Sequence, residues 1–490
     1  MPVIASKIVD SCELANVLSN DDQTLRGILG FVGQFNIPAL LKPFDALKTK
    51  GLALSDILIL LFLVRFEHTS IYLQVRKNFK GLFSGDKNVF YRLQNNSNMD
   101  WRKLVFSFVT KFQRIVEVKG NKDNEQQAIR CFIADDTTLE KTGKTIEGVG
   151  KVFNHVFGRW ILGYKMLVLG YWDGKTFTGI DFTLHRERGQ NASKPYGLTI
   201  KEQNEQFSKT RTPEQPSYTR LKELDCSKLD MLIDMLKRAV KHGFKANYVL
   251  VDSWFMCEEL ITSIRSIRKG MLHALGMCKI DRRKYLFQNK ELTASEILNK
   301  ASRKNGHYCR KHKMQYIGVF AMYKGIPVKL FFVRYGNQDK WHLIITTNLT
   351  ISFIKAIEIY QIRWTIEVFF KECKQYLKLG RCQSTDFDGQ IADCTLTLVT
   401  HTILSLQRRF SAYETLGGLY QSIRNEMGEL NLWQRLWNLF LHLVKELVEL
   451  LGIDVEQTLL TLFSDNDKTN RVYLVLQGLL NEDINIKKAA

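Results

Sequence analysis

The sequence predicts an α/β protein in which a mixed β-sheet is interrupted by a mainly β insertion and flanked by helical regions. Two short apolar runs, residues 128–134 and 246–251, each end in aspartate and have the composition of buried strands. Asp173-Gly174, which separates two strand-like runs, is a strong hairpin signal. Helical periodicity dominates before residue 125 and after residue 350.

The composition indicates a polyanionic partner. The 490 residues include 70 Lys and Arg against 50 Asp and Glu, which gives a formal charge of +20 and a pI of about 9.4. Nucleic acid and an anionic membrane surface both suit this charge. The most apolar N-terminal stretch, residues 52–66, contains Asp56 and Arg65 and is shorter than the roughly 20 residues of a membrane span. Because the N-terminus also lacks a signal-peptide pattern, we expect a cytoplasmic protein that binds nucleic acid and no membrane.

The cysteines do not indicate a disulfide framework or a zinc site. There are nine, an odd number, and none form a CxxC pair, which favours reduced thiols. His307, Cys309 and His312 form the densest Cys/His segment, but no second ligand pair follows at zinc spacing. We interpret them as loop residues.

The first region, residues 1–125, is predicted to be a helical domain. Its periodic stretches are residues 25–47, 53–65 and 101–118. No clean helix-turn-helix is present, so its assignment as a DNA-binding domain rests on charge and position.

The next region has the element order of a ribonuclease H-like core. In chain order it contains a strand at 128–134, strands at 164–172 and 175–184, a polar surface loop at 185–225, a helix at 228–241, and a strand at 246–251. We expect the loop to be mobile, since it has no sustained apolar period. In such a core the first and fourth strands are neighbours, and Asp136 and Asp252 would then meet at their ends.

The rest of the chain completes this scheme. Residues 126–255 and 350–410 are assigned to the catalytic core, and residues 256–349 to a mainly β insertion with strand-like runs at 315–322, 326–335 and 342–346. Residues 411–490 are predicted to form a helical C-terminal region.

One predicted helix has a polar face on which Tyr360, Arg363, Glu367 and Lys374 fall within an arc of roughly 60°. An amphipathic helix with a surface Arg363–Glu367 ion pair is the ordinary alternative. The two strand-end aspartates favour a different interpretation, a carboxylate set that binds metal.

Three carboxylates suit phosphodiester chemistry. Two divalent ions about 3.5–4 Å apart can produce the nucleophile and stabilise the leaving oxygen. Mg²⁺ prefers carboxylate oxygens, and Mn²⁺ can substitute for it. The candidate ligands and catalytic residues are Asp136, Asp252 and Glu367. Asp135 is the alternative to Asp136, because successive strand residues point to opposite faces; we prefer Asp136 because it directly precedes Thr137 and Thr138.

The spacing Tyr360-x₂-Arg363-x₃-Glu367-x₆-Lys374 resembles the Y-R-E-K signature of the DDE transposases in the fourth insertion-sequence family. Asp136-Thr137-Thr138, the strand-end Asp252 and the β insertion also resemble that family. The resemblance covers residues from about 130 to 380.

This resemblance implies a cut-and-paste DNA transposase of insertion sequences. Asp136, Asp252 and Glu367 would hold two Mg²⁺ ions, and Tyr360, Arg363 and Lys374 would bind backbone phosphates. The partners would be double-stranded DNA, both the terminal inverted repeats and the target, bound by a homodimer in the nucleoid.

Some expectations remain open at the level of sequence. Trp341 is a candidate, by position alone, for contact with a flipped base, although a tryptophan packed in the core or against a hairpin is the preferred explanation. A ribonuclease H-like nuclease without strand transfer would use the same carboxylates. A catalytically inactive DNA-binding derivative is a third class, which the intact acidic set does not favour.

Overall fold

The computed structural model describes residues 34–48, 50–65, 71, 87–119, 128–302, 306–336, 340–410 and 418–420. These residues belong to one compact unit that ends at Tyr420. Most of the predicted C-terminal region at 411–490 lies outside the described residues, as do residues 1–33.

Twelve strands in the described part of the chain form one sheet. They are β1 (Cys131–Glu140), β2 (Gly150–Asn154), β3 (Arg159–Trp172), β4 (Phe177–His185), β5 (Tyr248–Val251), β6 (His273–Cys278), β7 (Lys284–Phe287), β8 (Lys290–Thr293), β9 (His307–Cys309), β10 (Met314–Tyr323), β11 (Ile326–Tyr335) and β12 (His342–Thr346).

The α-helices of the same residues are α1 (Ile37–Leu41), α2 (Leu54–Leu63), α3 (Asn88–Gln94), α4 (Trp101–Lys119), α5 (Ile200–Asn204), α6 (Pro216–Lys222), α7 (Lys228–Lys241), α8 (Glu258–Ser266), α9 (Ala294–Ser302), α10 (Phe353–Gln361), α11 (Trp364–Gln375) and α12 (Phe387–Phe410). Short 3₁₀ turns lie at Lys42–Leu47, Glu223–Asp225 and Ile267–Gly270. None of the helices in the described ranges is long and apolar enough to cross a membrane.

The centre of the sheet has the ribonuclease H-like arrangement. β3 lies between β4 and β1 and is antiparallel to both, whereas β1, β5 and β6 run parallel to one another. The predicted hairpin joins β3 to β4, but its turn spans residues 173–176, two residues longer than the predicted Asp173-Gly174 pair; Gly174 has a φ of 106°, which favours glycine. The α/β fold class and its mixed sheet are therefore confirmed.

The insertion continues this sheet instead of forming a second one. β12 pairs antiparallel with β6, and β11, β10, β7 and β8 follow it outward. Because β6 is also the parallel neighbour of β5, backbone hydrogen bonds connect the core directly to the inserted strands.

The first strand is longer than the sequence indicated. β1 runs to Glu140, and its pairing with β3 continues without interruption from Cys131 to Glu140. Asp135 and Asp136 therefore lie inside a paired strand, whereas the prediction placed them just after its end. Thr137 and Thr138 are β-favouring residues and continue the ladder past the two carboxylates.

The predicted helix that carries Tyr360, Arg363 and Glu367 consists of two segments. Ile362 and Arg363 keep right-handed helical angles, but the N–H groups of residues 362, 363, 365 and 366 donate to carbonyls three residues earlier. This is a tightened 3₁₀ junction between α10 and α11. Tyr360 thus belongs to α10, Arg363 to the junction, and Glu367 and Lys374 to α11.

The polar segment at 185–225 is anchored to the core, whereas the sequence suggested a mobile loop. It contains α5 and α6, and the Arg211 side chain is only 1% exposed. The Arg211 guanidinium lies 2.7 Å from Glu147, 3.2 Å from Asp386 and 3.3 Å from Asp388. A largely exposed segment without apolar periodicity can be anchored by one buried cation when distant carboxylates neutralise its charge, and no local pattern reveals those partners.

The sheet is covered by a deeply buried helix. All residues of α12 from Phe387 to Leu406 are buried, and the helix packs on α4 and β4. α7 agrees with its predicted bounds, begins at a Ser227 cap and ends before Gly243, whose φ is 89°.

Candidate active site

The two aspartates of β1 point to opposite sides of the sheet, as alternation along a strand requires. Asp135 lies on the side of α11, with Oδ2 3.3 Å from Nη1 of Arg363. Asp136 lies on the side of α7, with Oδ2 2.5 Å from Nζ of Lys228. Only one of these carboxylates therefore shares a side with Arg363 and Glu367.

Asp252 directly follows β5, at the level of the carboxylates in the neighbouring strand β1. Ile133 is paired with Leu250 in the parallel register, and two further residues along each strand give Asp135 and Asp252. Oδ1 of Asp252 accepts hydrogen bonds from the backbone N–H groups of Trp254 (2.9 Å) and Phe255 (3.2 Å). These bonds fix the carboxylate as the chain leaves the sheet.

The environment of Asp135 disfavours its charged form. Burial is the main reason that its pKa rises to about 7, and the negative charges of Asp252 and Asp136 act in the same direction. The Arg363 guanidinium and the N–H of Asp136, which donates to Oδ1 of Asp135 at 2.8 Å, oppose this rise but do not outweigh it. Asp135 and Asp252 are therefore close enough for each charge to act on the other.

Glu367 is positioned by α11. An acidic side chain in the first helical turn is favourable because the N-terminal end of the helix dipole is positive. The opposite side of the helix is buried through Ile366, Phe369 and Cys373. The Phe369 ring lies 5.2 Å from that of Phe177 in β4, which holds the helix against the sheet.

Arg363 connects the helix to the first strand. Its Nη2 lies 2.6 Å from Oε1 of Glu367, and its Nη1 contacts Asp135. The guanidinium also lies over the Tyr360 ring at 5.8 Å. Burial raises the pKa of Tyr360, an effect that Asp252 reinforces and Arg363 opposes. Tyr360 and Glu367 thus lie around Arg363, and Asp252 is close enough to act electrostatically on Tyr360 and Asp135.

Lys374 reaches the same side of β1 from the last turn of α11. Its ammonium group donates to Oγ1 of Thr137 at 2.6 Å. Thr137 is two residues beyond Asp135 and therefore on the same face of the strand. The Tyr-Arg-Glu-Lys residues consequently lie on the side of the sheet that faces α11, although they belong to two helices and the junction between them.

Asp136 lies in a basic pocket that the sequence analysis did not identify. Nζ of Lys165 in β3 is 3.8 Å from Oδ1 of Asp136, and the Lys165 side chain is only 3% exposed. Lys165 is the one cation in the otherwise apolar stretch 164–172, a signal that the sequence did offer. Lys228 had no such signal, because only the packing of α7 brings it to β1.

The oxygen chemistry of the site suits a hard divalent cation. Asp135, Asp252 and Glu367 supply carboxylates from three elements, and no softer ligand is among them. Within the described ranges, however, no three His, Cys, Asp or Glu side chains are close enough to form a ready metal cage. Arg363 lies between Asp135 and Glu367 and contacts both carboxylates, so a cation held by both would have to displace this guanidinium.

Trp341 lies outside this group of contacts. It immediately precedes β12, is half-buried, and has the Arg334 guanidinium 5.1 Å from its ring. Its suggested contact with a flipped base stays a prediction.

Two protein-family models match the chain. A model described as a transposase DDE domain matches residues 222–403, which include Asp252 and the Tyr-Arg-Glu-Lys residues. A model described as a DDE superfamily endonuclease matches residues 120–271, which include both aspartates of β1. No curated protein matches the chain.

Proposed function

Because the chain belongs to the DDE transposases, we propose that it excises an insertion sequence at its terminal inverted repeats and joins the freed ends to target DNA. Mg²⁺ is the proposed metal, and Mn²⁺ its substitute. We propose further that two copies of the chain act together, one on each repeat.

One observation carries this proposal. Arg363 contacts Glu367 at 2.6 Å and Asp135 at 3.3 Å, and these carboxylates are separated by more than 200 residues in the chain. Asp252 joins them through its electrostatic effect on Asp135. If Arg363 and Glu367 formed only a surface ion pair, Arg363 would have no reason also to contact Asp135, a carboxylate from a central strand of the sheet.

The proposed ligand set is Asp252, Glu367 and one aspartate of β1. The sequence motif favours Asp136, whereas the side-chain directions favour Asp135, and we propose Asp135 on that ground. Asp136 is already paired with two lysines on the far side of the strand. The choice is tested by the paired variants described in the Discussion.

The basic residues would orient DNA over these carboxylates. We propose that Arg363 exchanges its carboxylate partners for a backbone phosphate, since guanidinium groups bind phosphate oxygens in two-pronged geometry. Lys374 of α11 and Tyr360 of α10, which lie on either side of Arg363 and Glu367 along the chain, would bind adjacent phosphates. Divalent ions, when bound, would supply activation of the attacking hydroxyl and stabilisation of the leaving oxygen.

Cleavage and joining test the proposal separately. The full chain is incubated with Mg²⁺ and a linear duplex carrying one terminal repeat of the element, and cuts are mapped by sequencing. A second reaction supplies a pre-cut repeat end with a 3′ hydroxyl and a supercoiled plasmid. We expect cutting at the repeat boundary and covalent joining of the pre-cut end to the plasmid.

The outcomes separate the competing functions. Cutting without joining, under conditions in which both DNAs are bound, would assign a nuclease. Salt-sensitive binding without cutting in either Mg²⁺ or Mn²⁺ would assign a DNA-binding derivative and overturn the proposal.

Metal binding is expected to depend on pH. The raised pKa of Asp135, about 7 against an ordinary value near 4, means that the folded protein retains a proton that the unfolded chain loses between those values. The contribution of this group to stability therefore falls as pH rises from about 4 to 7. A divalent cation favours the charged carboxylate and should reverse this loss. We expect 10 mM Mg²⁺ to raise Tm by about 3 °C at pH 8 and by less than about 1 °C at pH 5.5.

Differential scanning fluorimetry of the full chain measures this effect without relying on activity. Asp135→Asn is expected to remove the dependence on pH. An equal Mg²⁺ shift at both pH values, or an undiminished shift in that variant, would show that Asp135 does not bind the ion.

A further inference from the structure

A two-stranded ribbon extends beyond the end of the central sheet. β2 pairs with β3 from Gly150 opposite Gly163 to Asn154 opposite Arg159. β1 also ends its pairing with β3 at Gly163, opposite Glu140. The first part of β3 and its partner β2 therefore project past the carboxyl end of β1, the end toward which the proposed site lies.

The tip of this ribbon exposes large apolar side chains. Val156 is 88% exposed, Phe157 62% and Trp160 56%. Exposing three apolar side chains within five residues to water is unfavourable, and contiguous exposed apolar surface commonly marks a binding site. These three residues, with His155 and Arg159, are called the ribbon tip below.

The ribbon tip is held in a defined conformation. The buried Asn154 side chain accepts hydrogen bonds from the N–H groups of Val156 (2.9 Å) and Phe157 (3.3 Å). The Trp160 ring packs edge-on against Phe153 at 5.6 Å. The apolar groups are thus presented by an ordered turn, which lowers the entropic cost of inserting them into a partner.

The charge of the ribbon favours DNA as that partner. No Asp or Glu occurs between Gly148 and Trp172, whereas Lys151, His155 and Arg159 are exposed. The carboxylate of Glu187, near the ribbon base, accepts a hydrogen bond from the N–H of Phe153 at 2.8 Å. A basic surface of this kind, continuous with a site that acts on DNA, complements a phosphate backbone.

The dimensions allow the ribbon and the site to contact one duplex. Asp135 and Asp136 are opposite Val168 and Leu167, which follow Arg159 by nine and eight residues in β3. At about 3.4 Å per residue the tip lies roughly 27 to 31 Å beyond the carboxylates. At about 3.4 Å per base step, this distance corresponds to roughly eight or nine base pairs.

We propose that the ribbon tip enters a groove of the DNA bound at the active site and inserts Phe157, supported by Val156, between base steps roughly eight base pairs from the cut. Proteins that insert apolar side chains between base steps unstack them and bend the duplex. The inference rests on the proposed function, because that function places the DNA.

The test uses the double variant Val156→Ser/Phe157→Ser and the control Met271→Ser. Met271 is 60% exposed but precedes β6, at the opposite end of the parallel strands. Full-length proteins are bound to a duplex carrying the element's end in Ca²⁺, with 2-aminopurine placed singly at positions about 5 to 11 base pairs on either side of the cut. We expect the wild type and Met271→Ser to raise the fluorescence at least about three-fold near position eight. The double variant should lose this signal and bind about ten-fold more weakly.

Other outcomes would overturn the inference. An unchanged 2-aminopurine signal at every position, or equal affinity for the double variant, would exclude insertion. If the wild type is a dimer without DNA and the double variant is a monomer, the tip binds a second copy of the chain instead. Parallel reactions in Mg²⁺ keep the two proposals distinct. If the wild type does not cut the DNA in Mg²⁺, the proposed function is contradicted, but the fluorescence in Ca²⁺ still reports whether the ribbon tip inserts.

Discussion

Glu367→Gln is expected to lower the rate of Mg²⁺-dependent cleavage by roughly 10³-fold, equivalent to about 4 kcal/mol of transition-state stabilisation. The amide cannot supply the negative charge that a carboxylate offers to a divalent cation. It remains able to accept the hydrogen bond from Nη2 of Arg363, which lies 2.6 Å from the carboxylate oxygen. The fold should therefore be preserved, since an exchange of this kind at a partly exposed helix position costs well under about 1 kcal/mol. Cleavage of the repeat-bearing duplex under single-turnover conditions provides the measurement.

Glu358→Gln is the matched control for this change. Glu358 lies in α10, the neighbouring helix, and its carboxylate pairs with Lys311 and Lys355 away from the site. Its variant should cut at the rate of the wild type. If Glu367→Gln and Glu358→Gln cut equally well at matched affinity for DNA, Glu367 has no catalytic role.

Asp135→Asn and Asp136→Asn are expected to act differently. Asp135→Asn should reduce cleavage roughly 10³-fold and leave the protein folded, because the lost carboxylate belongs to the group around Arg363. Asp136→Asn should instead lower the free energy of unfolding by about 1–3 kcal/mol, since it leaves the nearly buried Lys165 without its carboxylate partner. Its cleavage rate should fall less than about ten-fold at temperatures where the variant is folded.

Chemical denaturation and single-turnover cleavage on the same preparations distinguish these effects. The reverse pattern, in which Asp136→Asn is inactive and Asp135→Asn is active, would restore the motif-based assignment of Asp136. It would also require β1 to rotate or slip by one residue when metal and DNA bind, since successive residues of a strand face opposite sides.

The elements that the sequence predicted well are those with strong local signals. α7 combines an amphipathic period with a Ser227 cap, and it has the predicted bounds. The turn at Asp173-Gly174 is a comparable local signal, and it joins the predicted strands. β2 was not predicted, because its five residues carry only a short alternation and their pairing depends on β3.

The candidate site was only partly accessible to sequence reasoning. Spacing along the chain identified Tyr360, Arg363, Glu367 and Lys374 as one polar group, and in the structure they lie on one side of the sheet. Spacing did not reveal the 3₁₀ junction at Ile362 and Arg363, because the residues there are compatible with a continuous helix.

Local sequence by itself determined the α/β class, the Asp-ending strands and the four-residue pattern, because alternation, helical period and turn chemistry act over a few residues. Tertiary structure alone decided which carboxylate of β1 faces α11, and it brought Lys228 to Asp136. It also decided that the inserted strands extend the core sheet and that β2 and β3 form an overhanging ribbon. The first three features depend on backbone pairing or charge neutralisation between segments far apart in the chain, and the ribbon depends on how far β3 extends past β1. None of these leaves a periodic signal in sequence.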